Sequence, residues 1–152
     1  MATPGAEPAP VLFGYDGSEL AQYAIAEAAR ELAPGRDAVV LCVWQPADVG
    51  FVPVGDRRFD AHDASEVQRA AEETAAQGAL LAENAGFRAE GLTINASPTW
   101  QGIVAVAEDR RASLIVLGAH RRRGIIGHLL GSVTAAVVTH APVSVLVVQE
   151  RA

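Results

Sequence analysis

The chain has 152 residues, half of them apolar, a length that suits one domain with a sizeable core. Its net charge of -6 and pI of about 5.1 argue against general nucleic-acid binding. One cysteine, Cys42, excludes an internal disulfide or a CxxC redox pair, and no apolar run approaches the roughly 18 residues of a spanning helix. The N-terminus carries no signal-peptide pattern, so a cytoplasmic protein away from nucleic acid and membrane is expected.

Met1 to Pro10 is rich in proline and has little that could pack. Residues 1–9 are expected to be a disordered tail, with residues 10–150 as one domain. Val11 to Tyr15 is an apolar run that suits a buried strand. Asp16-Gly17-Ser18 is a turn, with Ser18 placed to cap the helix that follows. Leu20, Tyr23, Ala24, Ala28 and Leu32 recur at helical spacing, and Pro34-Gly35 stops that helix. Ala38 to Trp44 is the second strand.

Gln45 to Ala64 is a long connection, uncommon in a compact domain unless it covers something. Ser65-Glu-Val-Gln68 matches a capping box and is expected to open a helix running to about Asn84. Ala89 to Asn95 is the third strand. Ser97-Pro98 reads as a cap residue before a proline at the first helical position. Trp100, Ile103, Val104 and Ala107 line one face of that third helix. Leu114 to Leu117 is the fourth strand, Ser132 to about Thr139 the fourth helix, and Val143 to Val148 the last strand.

Short apolar strands alternating with helices imply a sheet covered on both faces. Right-handed crossovers then produce a three-layer α/β/α sandwich. In such a sheet the ligand lies beyond the carboxyl ends of the strands, at the switch point. Asp16 and Gly118 both follow strands at that end and meet if strands one and four are neighbours. Asp16 is then able to accept a donor from a base or ribose, or it is only a turn-forming residue.

Gly118-Ala-His-Arg-Arg-Arg-Gly124-Ile-Ile-Gly127-His-Leu-Leu-Gly131-Ser132 joins the fourth strand to the fourth helix. Glycines at a strand end and a helix start let backbone N–H groups approach an anion, and His120 to Arg123 make the turn electropositive. A phosphate site is the functional reading, and a solvated turn is the bland one. Ser132 adds a hydroxyl at the helix start.

His62 between Asp60 and Asp63 lacks the spacing of a metal site and reads as solvated loop. Trp44 and Trp100 read as core or rim packing. No Walker A lysine, hydrolase elbow, HExxH or cysteine pair is present, so no catalytic residue can be nominated. A slow ATPase is the most the chain suggests.

Several segments together resemble the universal stress protein family, with its adenine nucleotide α-hydrolase-like fold. They are Gly14-Tyr-Asp16-Gly17-Ser18, Ser97-Pro98, Leu114-Ile-Val-Leu-Gly118-Ala-His120, Leu129-Leu-Gly131-Ser132-Val133 and Thr139-His140-Ala141-Pro142-Val143 with Leu146-Val-Val148. The resemblance covers nearly the whole chain after the tail. It implies a five-stranded parallel sheet in the order 3-2-1-4-5, and a stress-response regulator that binds ATP with Mg²⁺. It also implies a loop written Gly-x2-Gly-x9-Gly-Ser/Thr.

Gly118 matches the first glycine of that loop, and Gly131-Ser132 match the last pair. Arg121 stands where the second glycine belongs. Arg121 either closes the pocket, leaving a non-nucleotide interaction module, or offers a guanidinium fork to phosphate. Asp16 matches the adenosine-contacting aspartate, and Val43 falls near the base. The expected nucleotide-contacting set is Asp16, Val43, Gly118, His120, Arg121, Gly131, Ser132 and Val133. The resemblance further implies a homodimer through antiparallel pairing of the last strand, an apolar edge that otherwise needs cover. A monomer shielded by the final Gln-Glu-Arg-Ala is the alternative.

Overall fold

The computed structural model describes residues 8–45, 61–119 and 130–150. Among these residues nine elements follow one another: β1 (Val11–Gly14), α1 (Glu19–Glu31), β2 (Asp37–Trp44), α2 (Ala61–Asn84), β3 (Arg88–Asn95), α3 (Thr99–Asp109), β4 (Leu114–Ala119), α4 (Ser132–His140) and β5 (Ser144–Gln149). The strands form one sheet in the order β3-β2-β1-β4-β5, and every pairing is parallel. Fold class and strand order therefore stand as expected.

Alternation along the strands divides the core into two layers. Val11 and Phe13 of β1, Ala38 and Val40 of β2 and Val116 of β4 pack with Ala24, Ile25 and Ala28 of α1 and Ala79 and Ala82 of α2. The intervening residues Leu12, Val39, Leu41, Ile115 and Leu117 pack with Ile103, Val106 and Ala107 of α3 and Val137 of α4. Helices α1 and α2 thus cover one face, and α3 and α4 the other. Nearly continuous apolar strands result because both faces are buried.

Two helix starts differ from expectation. The α2 helix begins at Ala61, so Ser65 lies inside it rather than capping it. Nothing in Ala61 to Ala64 breaks a helix, and extending a formed helix costs little once it is nucleated. At α3 the N-cap is Pro98 itself, with extended ψ of 160° and no side-chain cap bond, so Ser97 stands one residue too early to cap. By contrast Ser18 is the N-cap of α1, its Oγ accepting from the Ala21 N–H at 3.1 Å.

The segment before β1 is tied down at its end. The Arg36 guanidinium donates to the Ala9 carbonyl at 2.8 Å and to the Ser113 hydroxyl at 2.7 Å. The Ser113 N–H donates to the Pro10 carbonyl at 3.0 Å. Residues 1–7 of the expected tail, and most of the long connection after Gln45, lie outside the described residues.

Candidate functional site

Strands β1 and β4 are neighbours, with Val11, Leu12 and Phe13 opposite Leu114, Ile115 and Val116. From β1 the sheet continues to β2 on one side and to β4 on the other, so the switch point lies between β1 and β4. A cleft of about 210 Å³ opens there. Its apolar walls include Leu41, Val43, Ile103, Leu117 and Val133, and Asp16, Ser18, Thr99 and Thr134 supply polar groups.

The β1–α1 turn sets one rim. Gly17 has φ +84°, a left-handed conformation that glycine adopts without strain. Asp16 is exposed, and its Oδ1 accepts from the Ser18 N–H at 2.9 Å. Asp16 is therefore a turn former and also a cleft residue. The turn occupies one carboxylate oxygen, Oδ1.

Gly118 sits in β4, on the cleft wall, for a packing reason. A Cβ there would lie 2.7 Å from Leu20 Cγ and 3.2 Å from the Leu20 carbonyl oxygen. The start of α1 comes that close to the strand. Gly131 is the N-cap of α4, with φ -56°, and a Cβ on it would meet nothing within 4 Å among the described residues. Among the described residues no side chain caps α4. Its first N–H groups lack intrahelical partners by helix geometry, and the helix dipole favours negative charge there. Ser132 and Val133 are exposed in this first turn.

The structure thus brings Asp16, Val43, Gly118 and Val133 to one cleft and puts Gly131 and Ser132 at the start of α4. His120 and Arg121 lie outside the described residues, as does the rest of the basic turn. Three cleft residues were not legible beforehand. Thr134 is buried, and its Oγ1 points to the Gly118 carbonyl at 3.5 Å, linking α4 to β4. The Thr99 Oγ1 accepts from the Gln45 amide at 3.1 Å, joining the end of β2 to the start of α3. Tyr15 is 5% exposed, and its hydroxyl pKa is raised above 10, first by burial and then by the charges of Asp16 and Cys42. A polar residue in an apolar helical run was the signal available for Thr134.

The sequence profile of the universal stress protein family matches residues 9–149. The chain belongs to this family. A universal stress protein of Mycolicibacterium smegmatis is 34% identical over 93% of this chain and 46% of its own length. The chain thus spans about half the length of the curated relatives it matches.

Among solved structures, a universal stress protein of Arabidopsis thaliana with AMP bound has a TM-score of 0.65 at 16% identity, over 95% of this chain and 94% of that one. A universal stress protein in complex with cAMP has a TM-score of 0.59 at 22% identity, over 95% and 98%. At these identities the likeness concerns the fold. No helix among the described residues is long and apolar enough to cross a membrane.

Proposed function

We propose that this chain is an adenine-nucleotide-binding regulator of the stress response, holding ATP in the β1/β4 cleft. The observation that carries the reading is the cleft itself. An apolar slot, a carboxylate with one oxygen unused by its turn and an uncapped helix start converge at the switch point. The slot suits a planar base between Val43 and Ile103. Asp16 accepts from the nucleoside, and the N–H groups after Gly131 meet phosphate, with Ser132 adding a hydroxyl.

The cleft's 210 Å³ is below the roughly 300–1,000 Å³ of complete small-molecule sites. It accommodates the nucleoside end, with the phosphates outside it along the start of α4. Relatives of the same fold that hold AMP or cAMP support an adenine ligand. Magnesium fits as an ion carried on the triphosphate, keeping several waters, rather than as one held in a protein cage. His120 and Arg121 belong to the proposed phosphate side. The regulator is proposed to work in the cytoplasm as a homodimer joined through β5.

Isothermal titration with ATP, ADP and AMP tests the proposal. Saturable heat is expected, and no heat at millimolar ATP rejects it. One residue, Arg121 in place of glycine, favours the second reading, an interaction module of the same fold. Arg121→Gly separates the two. Tighter ATP binding in the variant makes the arginine an obstruction, and weaker binding makes it a phosphate ligand.

A further inference from the structure

The turn between α3 and β4 reads Arg110-Arg111-Ala112-Ser113. Among the serines and threonines of the chain, Ser113 alone has arginine both two and three residues before it. It stands where the strands begin, at the opposite end of the sheet from the β1/β4 cleft. Ser113 and Arg111 are exposed, and Ala112 between them is buried.

The fold adds a third arginine that the local sequence does not show. Arg36, directly before β2, reaches over from 77 positions away, and its Nη2 donates to the Ser113 Oγ at 2.7 Å. The same nitrogen donates to the Ala9 carbonyl at 2.8 Å. Nε shares one edge of the guanidinium fork with Nη2. It is buried and has no hydrogen-bond partner among the described residues. An N–H left unbonded in such a place costs free energy and calls for an acceptor. The neighbouring Asp37 carboxylate accepts instead from Arg88, at 2.7 Å, and Glu90 holds Arg110.

We propose that Ser113 is a phosphorylation site for a Ser/Thr protein kinase that selects arginine at both preceding positions, and that Arg36 is the built-in receptor for the phosphate. The Ser113 Oγ attacks the γ-phosphorus of ATP. The bond from that phosphorus to the oxygen it shares with the β-phosphate breaks, ADP leaves, and the hydroxyl proton passes to the kinase's aspartate. The phosphoserine carries a charge of about -1.5 to -2 and three strong acceptor oxygens. A guanidinium binds such an anion through two parallel N–H bonds. Nη2 already stands at the atom that becomes the ester oxygen, and Nε supplies the second donor of the fork.

Access is set by the turn itself. Arg111 has φ +52°, a left-handed conformation that strains a residue with a Cβ. The turn is held by the Arg111 N–H on the Glu108 carbonyl at 3.1 Å and the Ala112 N–H on the Ala107 carbonyl at 2.9 Å. Surface turns of this kind open locally at far less cost than the whole fold. A kinase groove is thus able to draw out the two arginines while the sheet stays intact.

Phosphate at Ser113 also acts on the segment before β1. The Ser113 hydroxyl donates to the Ala9 carbonyl at 3.3 Å. Phosphorylation removes that donor, and the phosphate competes with Ala9 for Arg36. The bond from the Ser113 N–H to the Pro10 carbonyl joins two backbones and remains. Ala9 is released while β1 keeps its place beside β4.

The site is independent of the nucleotide reading, and its test does not measure nucleotide affinity. The folded chain is incubated with ATP, Mg²⁺ and a purified arginine-directed Ser/Thr kinase, and phosphate is located by peptide mass spectrometry. Incorporation at Ser113 is expected, absent in Ser113→Ala and slowed about tenfold in Arg111→Gln, the loss of one charge-assisted contact. A peptide spanning 106–117 reports the motif without the fold. A peptide that is modified while the folded chain is not shows the turn to be closed and overturns the proposal. Incorporation undiminished in Ser113→Ala overturns it as well.

Phosphorus NMR of the modified chain tests the receptor. The phosphoserine is expected to take its second negative charge at lower pH than in the phosphorylated peptide, because a guanidinium favours the dianion. Arg36→Gln is expected to restore the behaviour of the peptide. Arg36→Lys, which keeps the charge and loses the fork, is expected to fall between and serves where the glutamine variant folds poorly. Equal titration in the wild-type and Arg36-substituted phosphoproteins overturns Arg36 as the receptor. Narrowing of the Ala9 methyl signal on phosphorylation supports the release of Ala9, and an unchanged signal overturns it.

Discussion

Gly118 of β4 rests against Leu20 of α1 so closely that one added carbon would sit 2.7 Å from Leu20 Cγ. The glycine that aligns with the start of the phosphate loop is thus required first by helix-on-strand packing. Gly131, at the far end of the same loop, has no described residue within 4 Å of where a Cβ would stand. Two glycines that look equivalent in sequence have different physical reasons to be glycine.

Gly118→Ala is expected to destabilise the fold by ~1–3 kcal/mol, the usual cost of overpacking a filled core. The Leu20 side chain can shift, but its carbonyl at 3.2 Å belongs to the backbone of α1. Urea denaturation of the two proteins measures the difference. A midpoint equal to wild type would mean that α1 moves away freely.

Gly131→Ala and Gly131→Val are expected to destabilise only modestly, by ~0.5–1 kcal/mol, because the site is exposed and φ is ordinary but both residues cap a helix less well than glycine. Nucleotide affinity is expected to fall about tenfold or more in Gly131→Val, since a β-branched side chain obstructs the approach of phosphate to the helix start. Ser132→Ala removes only a hydroxyl contact and is expected to be milder. Titration calorimetry beside a thermal melt separates binding from folding. Unchanged ATP affinity in a folded Gly131→Val protein would move the phosphates elsewhere.

Tyr15 predicts an alkaline limb of stability. Its hydroxyl pKa is raised in the folded state, so the native protein holds a proton that the unfolded chain releases above pH 10. The contribution is fully present below pH 10 and is lost as pH rises through the folded-state pKa. Denaturation midpoints from pH 8.5 to 11 are expected to fall more steeply in wild type than in Tyr15→Phe. Parallel curves would show that the tyrosine ionises without cost in place.

The β5 edge predicts self-association. Among the described residues strand β5 pairs only with β4, so its other side is an edge. Val145 packs on the α3/α4 layer, whereas Leu146 and Val148 pack on the α1/α2 layer. Lysine at any of these would harm folding as well as pairing. Val147, half-exposed, is the cleaner test. Sedimentation equilibrium is expected to show a dimer at tens of micromolar, and Val147→Lys to weaken it at least tenfold. A strictly monomeric wild type defeats the proposal, and a dimer indifferent to Val147→Lys places the interface elsewhere.

Apolar runs at β1, β2, β4 and β5 with helical spacing between them made the element order and the α/β class legible from the residues. Strand order came from the family resemblance, because periodicity does not say which parallel strands are neighbours. Ser18 was legible as a cap because a serine after a glycine turn has one dominant local use. Ser65 and Ser97 were misread for a related reason. Cap patterns state what a residue can do, while the preceding backbone decides whether the helix has already begun or has not yet started.

At the site, the sequence by itself determined which groups stand at strand ends and helix starts: Asp16, Gly118, Gly131 and Ser132. Local chemistry suffices there, since a turn aspartate and a helix-start glycine are written in adjacent residues. Tertiary structure alone decided that Thr99, Thr134 and Tyr15 share one cleft. It also decided that Trp100 meets His140 across 40 positions of chain. Such meetings depend on crossovers that set one helix beside another, and residue spacing within a single element carries no record of them.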